Sequence, residues 1–152
     1  MGTRHKQSVI DKDGKLRIAQ YGQWDGRPEH QGTDILNYLK TGDLEKYQAA
    51  LQKISKITKK ESKIVSNEGT NWINEYPYLS RDCGAKIHKM IEEGKVKFVD
   101  FISNKEARLW CEGFYTINFK RGVFISEFHG VKKTFKLDNL PTVEEYLKAM
   151  EV

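Results

Sequence analysis

From Ala107 to Leu137 the chain alternates apolar with polar residues and is cut twice by glycine turns, at Arg121-Gly122 and His129-Gly130. Alternation with a period of two sends one set of side chains to each face of a sheet. This stretch therefore reads as three antiparallel strands: Ala107 to Phe119, Val123 to Phe128 and Val131 to Leu137. An apolar sheet face has to be covered. The cover must come from the preceding sequence and from the C-terminus, which are mostly helical in pattern.

The N-terminus adds a hairpin. Val9-Ile10 is followed by the turn sequence Asp11-Lys12-Asp13-Gly14 and by a second run in which Leu16, Ile18, Gln20 and Trp24 share a face. Thr33 or Gly32 then opens a helix with Ile35, Leu36 and Leu39 on its apolar side, closed by Gly42. Asp43 caps a second helix, in which Leu44, Tyr47, Leu51, Ile54 and Ile57 form one stripe. Its lysines, with Lys59, Lys60 and Lys63, read as a solvated outer surface. Between Thr58 and Leu79 the periodicity fades, and Pro77 breaks any regular element. Ser80 is placed to cap a helix that carries Ile87, Met90 and Ile91 to Gly94. A strand over Val96, Phe98, Val99, Phe101 and Ile102 and a turn near Asn104-Lys105 lead into the meander. Thr142 and Glu145 form a capping box for a last helix with Val143, Tyr146, Leu147 and Met150 buried. The sum is one α+β domain over 1–152: an antiparallel sheet, made of the N-terminal hairpin and the C-terminal meander, with helices packed on one face.

Composition narrows the class. With 11% aromatic residues among 152, the chain is no disordered polymer, and with two cysteines it is no disulfide-built secreted domain. No leader is visible, and no apolar run nears the ~20 residues that cross a bilayer. Met1-Gly2 does not complete a myristoylation motif, because Lys6 stands where that motif wants Ser or Thr. The expected setting is the cytoplasm, with no membrane partner. The net charge of +5 points to anionic partners. Nucleic acid is the weaker fit, because Lys dominates the excess and strong nucleic-acid binders carry a higher charge density.

No motif fixes a reaction. His5, His30, His88 and His129 are scattered, and no Cys-x-x-Cys occurs, so no metal and no cofactor is expected. Walker, Rossmann and Gly-x-Ser-x-Gly patterns are missing. Candidate ligand contacts cluster instead in the tract Tyr21-Gly22-Gln23-Trp24-Asp25-Gly26-Arg27-Pro28. Trp24 offers a stacking face, Asp25 accepts from a ring amine or ribose hydroxyl, and Gln23 lies beside them. Arg27 offers a bidentate fork for phosphate. Gly32-Thr33 opens a helix whose N–H groups suit an anion. The alternative is a tight structural turn with Trp24 in the core. A second group, Ser80-Arg81-Asp82, begins a helix. Asp82 suits the first turn, whereas Arg81 is out of place there unless an anion holds it, most simply in a structural ion pair. Arg4 is a further anion contact, although a frayed terminus is the default for Gly2 to His5.

The residues also carry a resemblance. Met1-Gly2-Thr3-Arg4, then Tyr21-Gly22-Gln23-Trp24-Asp25-Gly26 with Pro28 and Gly32, resembles a family of uncharacterised phage and prophage proteins. Leu79-Ser80-Arg81-Asp82 with Gly84-Ala85-Lys86-Ile87, Cys111-Glu112 and Leu137-Asp138-Asn139-Leu140-Pro141 continue the match over nearly the whole chain. Arg27 departs from it, where an aromatic such as tyrosine is expected, and that weakens Arg27 as a ligand contact. The resemblance implies a virus-borne accessory gene of the kind that counters host defences, and no assigned activity.

Three functions follow, in order of fit. The first is a non-enzymatic binder of an anionic small molecule such as a nucleotide signal, through Arg4, Gln23, Trp24, Asp25, Thr33, Arg81 and Asp82. The second is an inhibitor that binds a host defence protein such as a CRISPR effector. The third is a nucleotide hydrolase with Asp25 and Asp82 as acid and base. The unpaired meander edge additionally offers a surface for a homodimer.

Overall fold

The N-terminal residues do not fray. His5–Ile10 forms β1, which lies inside the sheet with a neighbour on each side. The computed structural model describes residues 2–152; Met1 of the opening motif lies outside the described residues. In chain order β1 is followed by β2 (Leu16–Gly22), α1 (Thr33–Thr41), α2 (Leu44–Leu51), β3 (Ser55–Lys56) and α3 (Lys59–Asn67). Then come α4 (Trp72–Glu75), α5 (Ile87–Glu92), β4 (Phe98–Val99), α6 (Asn104–Trp110), β5 (Gly113–Asn118), β6 (Val123–Phe128), β7 (Val131–Lys136) and α7 (Val143–Ala149). The main sheet has the order β2-β1-β5-β6-β7. The hairpin and the meander are antiparallel within themselves, but β1 and β5 join them in parallel. A parallel pair needs a long crossover, and everything between β2 and β5 is that crossover.

The hairpin turn is held by Asp11. Its carboxylate accepts from the backbone N–H groups of Asp13 and Lys15, from Arg17 Nε at 2.9 Å and from Gln52 Nε2 at 3.1 Å. Burial pushes this carboxyl up, but Arg17, Lys15, Gln52 and Asp13 together hold it well below the usual carboxylate range.

Five expected elements differ. Gly84 has φ +55, so no regular helix runs through it from Ser80, and α5 starts only at Ile87. Ser80 caps a turn instead: its Oγ accepts from Asp82 N at 3.0 Å. Asn104-Lys105 is no turn, because Ser103 Oγ accepts from Glu106 N and starts α6, so the strand begins at Gly113 rather than Ala107. The strand expected over Val96–Ile102 shrinks to Phe98–Val99, paired in parallel with β3. Between Thr58 and Leu79, a complete Thr58–Glu61 capping box launches α3. The second helix stops at Leu51, although Ile54 stays buried.

The two sheet faces carry different cargo. On one, Val9, Ile18, Ile117 and Phe124 pack under α1, α2, α5 and α7, with Leu36, Tyr47, Leu51, Ile87 and Tyr146 all fully buried. At roughly 1.5–3 kcal/mol for each large apolar side chain, this layer dominates the stability. Across the opposite face runs α6, which reaches Lys6, Phe114 and Glu127 through Asn104 and Arg108.

Within the apolar layer lies a closed polar network. Gln7 Nε2 donates to Gln20 Oε1 at 3.0 Å and to the Gly84 carbonyl at 2.8 Å, and Gln20 Nε2 donates to the Tyr78 carbonyl at 2.7 Å. Gln7 Oε1 can only accept, so His88 Nε2, 2.8 Å away, carries the imidazole proton. His88 Nδ1 must then accept from the Tyr47 hydroxyl at 2.9 Å. Burial pushes the His88 pKa down to about 3. The unfolded chain takes up its proton near the ordinary value, about 6.5, before the folded chain does. This contribution to stability is therefore complete above that pH and is lost as pH falls toward the folded value. Denaturant unfolding is expected to lose about 3 kcal/mol from His88 between pH ~6.5 and pH ~4. His88→Gln should be less stable at neutral pH and decline more gently; an equal decline in both proteins would place the titration on another group.

Candidate functional site

The tract from Tyr21 to Pro28 is a strap folded over His5. Its glycines stand where they must. A methyl group at Gly22 would overlap the His5 ring, and one at Gly26 would come within 2.7 Å of the Thr3 carbonyl and 2.9 Å of His5 Cβ. Between them Asp25 takes φ +57, a left-handed conformation that Asp tolerates better than most residues. The strap's backbone is used up structurally: Gly26 N donates to the Thr3 carbonyl, Gln31 N to the Asp25 carbonyl, and the Tyr115 hydroxyl to the Gly26 carbonyl at 2.6 Å. His5 beneath it is 1% exposed, and neither ring nitrogen has a hydrogen-bond partner among the described residues. Burial lowers its pKa to about 4 against an opposing pull from Asp25, so the ring is neutral near pH 7.

The expected contact residues separate into two sets. Gln23 N donates to the Arg81 carbonyl at 2.9 Å, which ties the strap to the distant Ser80–Asp82 segment. Gln23 Oε1 accepts from the Tyr21 hydroxyl. Burial raises the Tyr21 pKa, while Arg4 and Arg81 both pull it down, so both cations act on this ring electrostatically. Arg4 also lies over the Trp110 ring, 5.9 Å from its centre. Thus Gln23 and Arg81 lie beside Tyr21, and Arg4 acts on it electrostatically.

Trp24, Asp25, Thr33 and Asp82 lie elsewhere. Trp24 is 45% exposed rather than in the core, and it packs against Gly2. Asp25 faces His5 electrostatically. Asp82 lines a separate depression with Ile73, Cys83 and Met90. Gly32-Thr33 does not present free N–H groups, because a π-turn over Pro28–Gly32 runs straight into α1. Thr33 N–H bonds back to the His30 and Pro28 carbonyls, and Thr33 Oγ1 donates to the Pro28 carbonyl at 2.8 Å. Arg27 is engaged by Glu29 at 3.3 Å and sits over the Phe128 ring. Arg81, by contrast, makes no ion pair with any described residue, contrary to the structural bridge expected for it.

Arg81 and Tyr21 line a cleft of about 270 Å³ beside β2, with Asp100 and Phe101 from the segment that leads into α6 and Glu106 from α6 itself. The segment is fastened to the sheet edge by Ile102 N, which donates to the Ala19 carbonyl at 2.8 Å. Asp100, Phe101 and Glu106 were not expected here. The signal that could have found them is Ser103-x-x-Glu106, a helix-start pattern that ends the strand and turns this segment toward Tyr21.

Of the groups suited to nucleophilic or acid–base work, His88 and Cys83 are buried and Cys111 is half-buried, whereas Asp25 and Asp82 are exposed. His88 has both nitrogens committed, so it forms no dyad with Cys83. Burial pushes the thiols of Cys83 and Cys111 up to about 11 each. Both thiols are expected to react slowly with aromatic disulfide reagents at neutral pH and to speed up as pH rises toward that value; fast labelling at neutral pH would contradict the assignment. The strap makes a second prediction. Gly22→Ala is expected to cost about 3 kcal/mol through overlap with the imidazole, and His5→Ala in the same chain should recover part of it in a double-mutant cycle read by denaturant unfolding. Additive effects would mean that the two residues do not meet.

Comparison of this chain with protein-family models, curated proteins and solved structures finds no match in any of the three.

Proposed function

We propose that this protein is a non-enzymatic binder of a small molecule with an anionic end, of nucleotide type, held in the cleft beside β2. The observation that carries this reading is Arg81, a guanidinium with no ion-pair partner among the described residues, in the same cleft as Tyr21 and Phe101. A guanidinium fork matches phosphate, and an aromatic face gains ~1–3 kcal/mol against a base. Asp100 and Glu106 on the same walls accept from ring amines or ribose hydroxyls and repel a ligand that is anionic throughout. The combination favours a molecule anionic at one end and rich in donors at the other. The buried neutral histidines and the raised thiols support binding rather than turnover. With the resemblance to phage and prophage proteins, the role would be to sequester a host signal nucleotide in the cytoplasm of an infected cell.

One observation favours a protein partner as a second reading. Leu109 is 77% exposed and Trp110 55% exposed, side by side on α6, as suits a surface that blocks a host defence protein.

Calorimetry against a panel of linear and cyclic nucleotides tests the first reading. At least one is expected to bind saturably, and Arg81→Ala should weaken it on the order of tenfold or more, the worth of a hydrogen bond to a charged group. A silent panel overturns the proposal. Capture of a stoichiometric host protein that Trp110→Ala releases would favour the second reading.

A further inference from the structure

The sheet face turned away from the core holds a charge imbalance. Lys6 is only 5% exposed, and its ammonium donates to Asn104 Oδ1 at 2.5 Å. No carboxylate among the described residues lies within ion-pair distance of it. An ammonium has three donors, and a buried cation without counter-charge is costly. The groups beside Lys6 do not supply that charge. Burial lowers its pKa, Cys111 acts the other way, and Arg108, itself a cation, lowers it again.

Lys6 lines a cavity of about 120 Å³ under α6. Sheet register builds the walls. Lys6, Phe114, Glu127 and Lys132 stand in one row across β1, β5, β6 and β7, and Ser8 and Thr116 stand in the next row. From above, α6 adds Asn104 and Arg108. The lining thus holds three cations, Lys6, Arg108 and Lys132, and one carboxylate, Glu127. That carboxylate is already taken, because Arg108 binds it with two hydrogen bonds of 2.6 and 3.2 Å. The space equals about four waters at roughly 30 Å³ each, enough for one tetrahedral oxyanion.

The geometry points to a binding site here for a tetrahedral oxyanion, either free phosphate or the phosphoryl end of a larger ligand. Lys6 is its central contact, Lys132 adds charge, and the Ser8 and Thr116 hydroxyls donate from the floor. The oxyanion supplies the counter-charge that the protein withholds from Lys6. This site stands on Lys6 and its cavity and does not depend on the Arg81 cleft.

The test is a titration of the intact protein with inorganic phosphate and, separately, with a nucleoside monophosphate, followed by NMR of the lysine side-chain ammonium groups and by thermal unfolding. Phosphate is expected to shift the Lys6 resonance saturably and to raise the unfolding midpoint. In Lys6→Met the rise in unfolding midpoint should need on the order of tenfold or more phosphate. Tighter binding of the nucleoside monophosphate at Lys6 would identify a larger phosphorylated ligand, and equal binding the free ion. If neither probe moves the Lys6 resonance in the wild-type protein, the site does not exist. That reading needs no variant, so it decides the matter even if Lys6→Met fails to fold. A Lys6→Met protein that responds like the wild type would also overturn the proposal.

Discussion

The side-chain amide of Gln7 is the contact on which the arrangement of the fold turns. One carboxamide on a strand inside the sheet bonds to β2 through Gln20, to the chain before α5 through the Gly84 carbonyl, and to α5 itself through His88. His88 in turn fixes α2 through the Tyr47 hydroxyl. Such bonds add only about 1 kcal/mol each to net stability. Their force lies in the alternative: a register that left any one of these buried groups unpaired would cost ~1–3 kcal/mol per group. Apolar packing alone would let the helices settle in several ways over a Val, Ile and Phe surface. The amide network selects one.

Once Gln7 is fixed on the core face, strand alternation fixes its neighbours. His5 falls on the same face one row nearer the strand's start, and Lys6 on the other face. All three are almost fully buried, at 1%, 5% and 1% exposure for His5, Lys6 and Gln7. Each meets a different fate. The network satisfies Gln7, a glycine-spaced strap encloses His5, and Lys6 is covered by α6 with a neutral amide as its acceptor. Tyr21 is the register partner of Lys6 on β2. The Arg81 cleft and the Lys6 cavity are therefore adjoining features of one end of the sheet, and α6 contributes Glu106 to the first and Asn104 and Arg108 to the second.

Local pattern made much of this fold legible, and the losses have physical causes. The Asp43 cap and the Thr142–Glu145 box are seen as the sequence reads, because a cap is set by residues within one turn of each other. The same chemistry at Thr58-x-x-Glu61 and Ser103-x-x-Glu106 was overlooked, since neither precedes a clear apolar stripe: α3 buries no residue and α6 only Ala107. The role of β1 was illegible for a different reason. His5-Lys6-Gln7 looks like a solvated terminus, and nothing within a few residues reveals that a parallel partner more than a hundred positions away makes it interior. In the strap, Gly22 and Gly26 were visible as glycines, but the reason for them is a side chain that precedes both in the chain and meets them only in three dimensions. Arg81 stands out in the sequence as a cation misplaced at a helix start, although the helix itself begins only at Ile87.

The sheet's two edges explain where the positive charge goes. The edge of β2 is met by the segment that carries Ile102, whose N–H donates to the Ala19 carbonyl and obstructs strand addition at that point. At the other end β7 carries Lys132, Lys133 and Lys136. Lysines on an edge strand repel a second identical edge, which weighs against β7-to-β7 pairing of two copies and for a partner of opposite charge. Lys132 also turns inward to the Lys6 cavity. One strand therefore both guards an edge and charges a cavity. By contrast, Lys59, Lys60 and Lys63 on α3 stand in solvent with no wall around them. Net charge in this chain is informative only after that division. The lysines of α3 are solvated, whereas Lys6 is a buried cation with no carboxylate within ion-pair distance among the described residues, and the proposed anionic ligand rests on that confinement rather than on the total of +5.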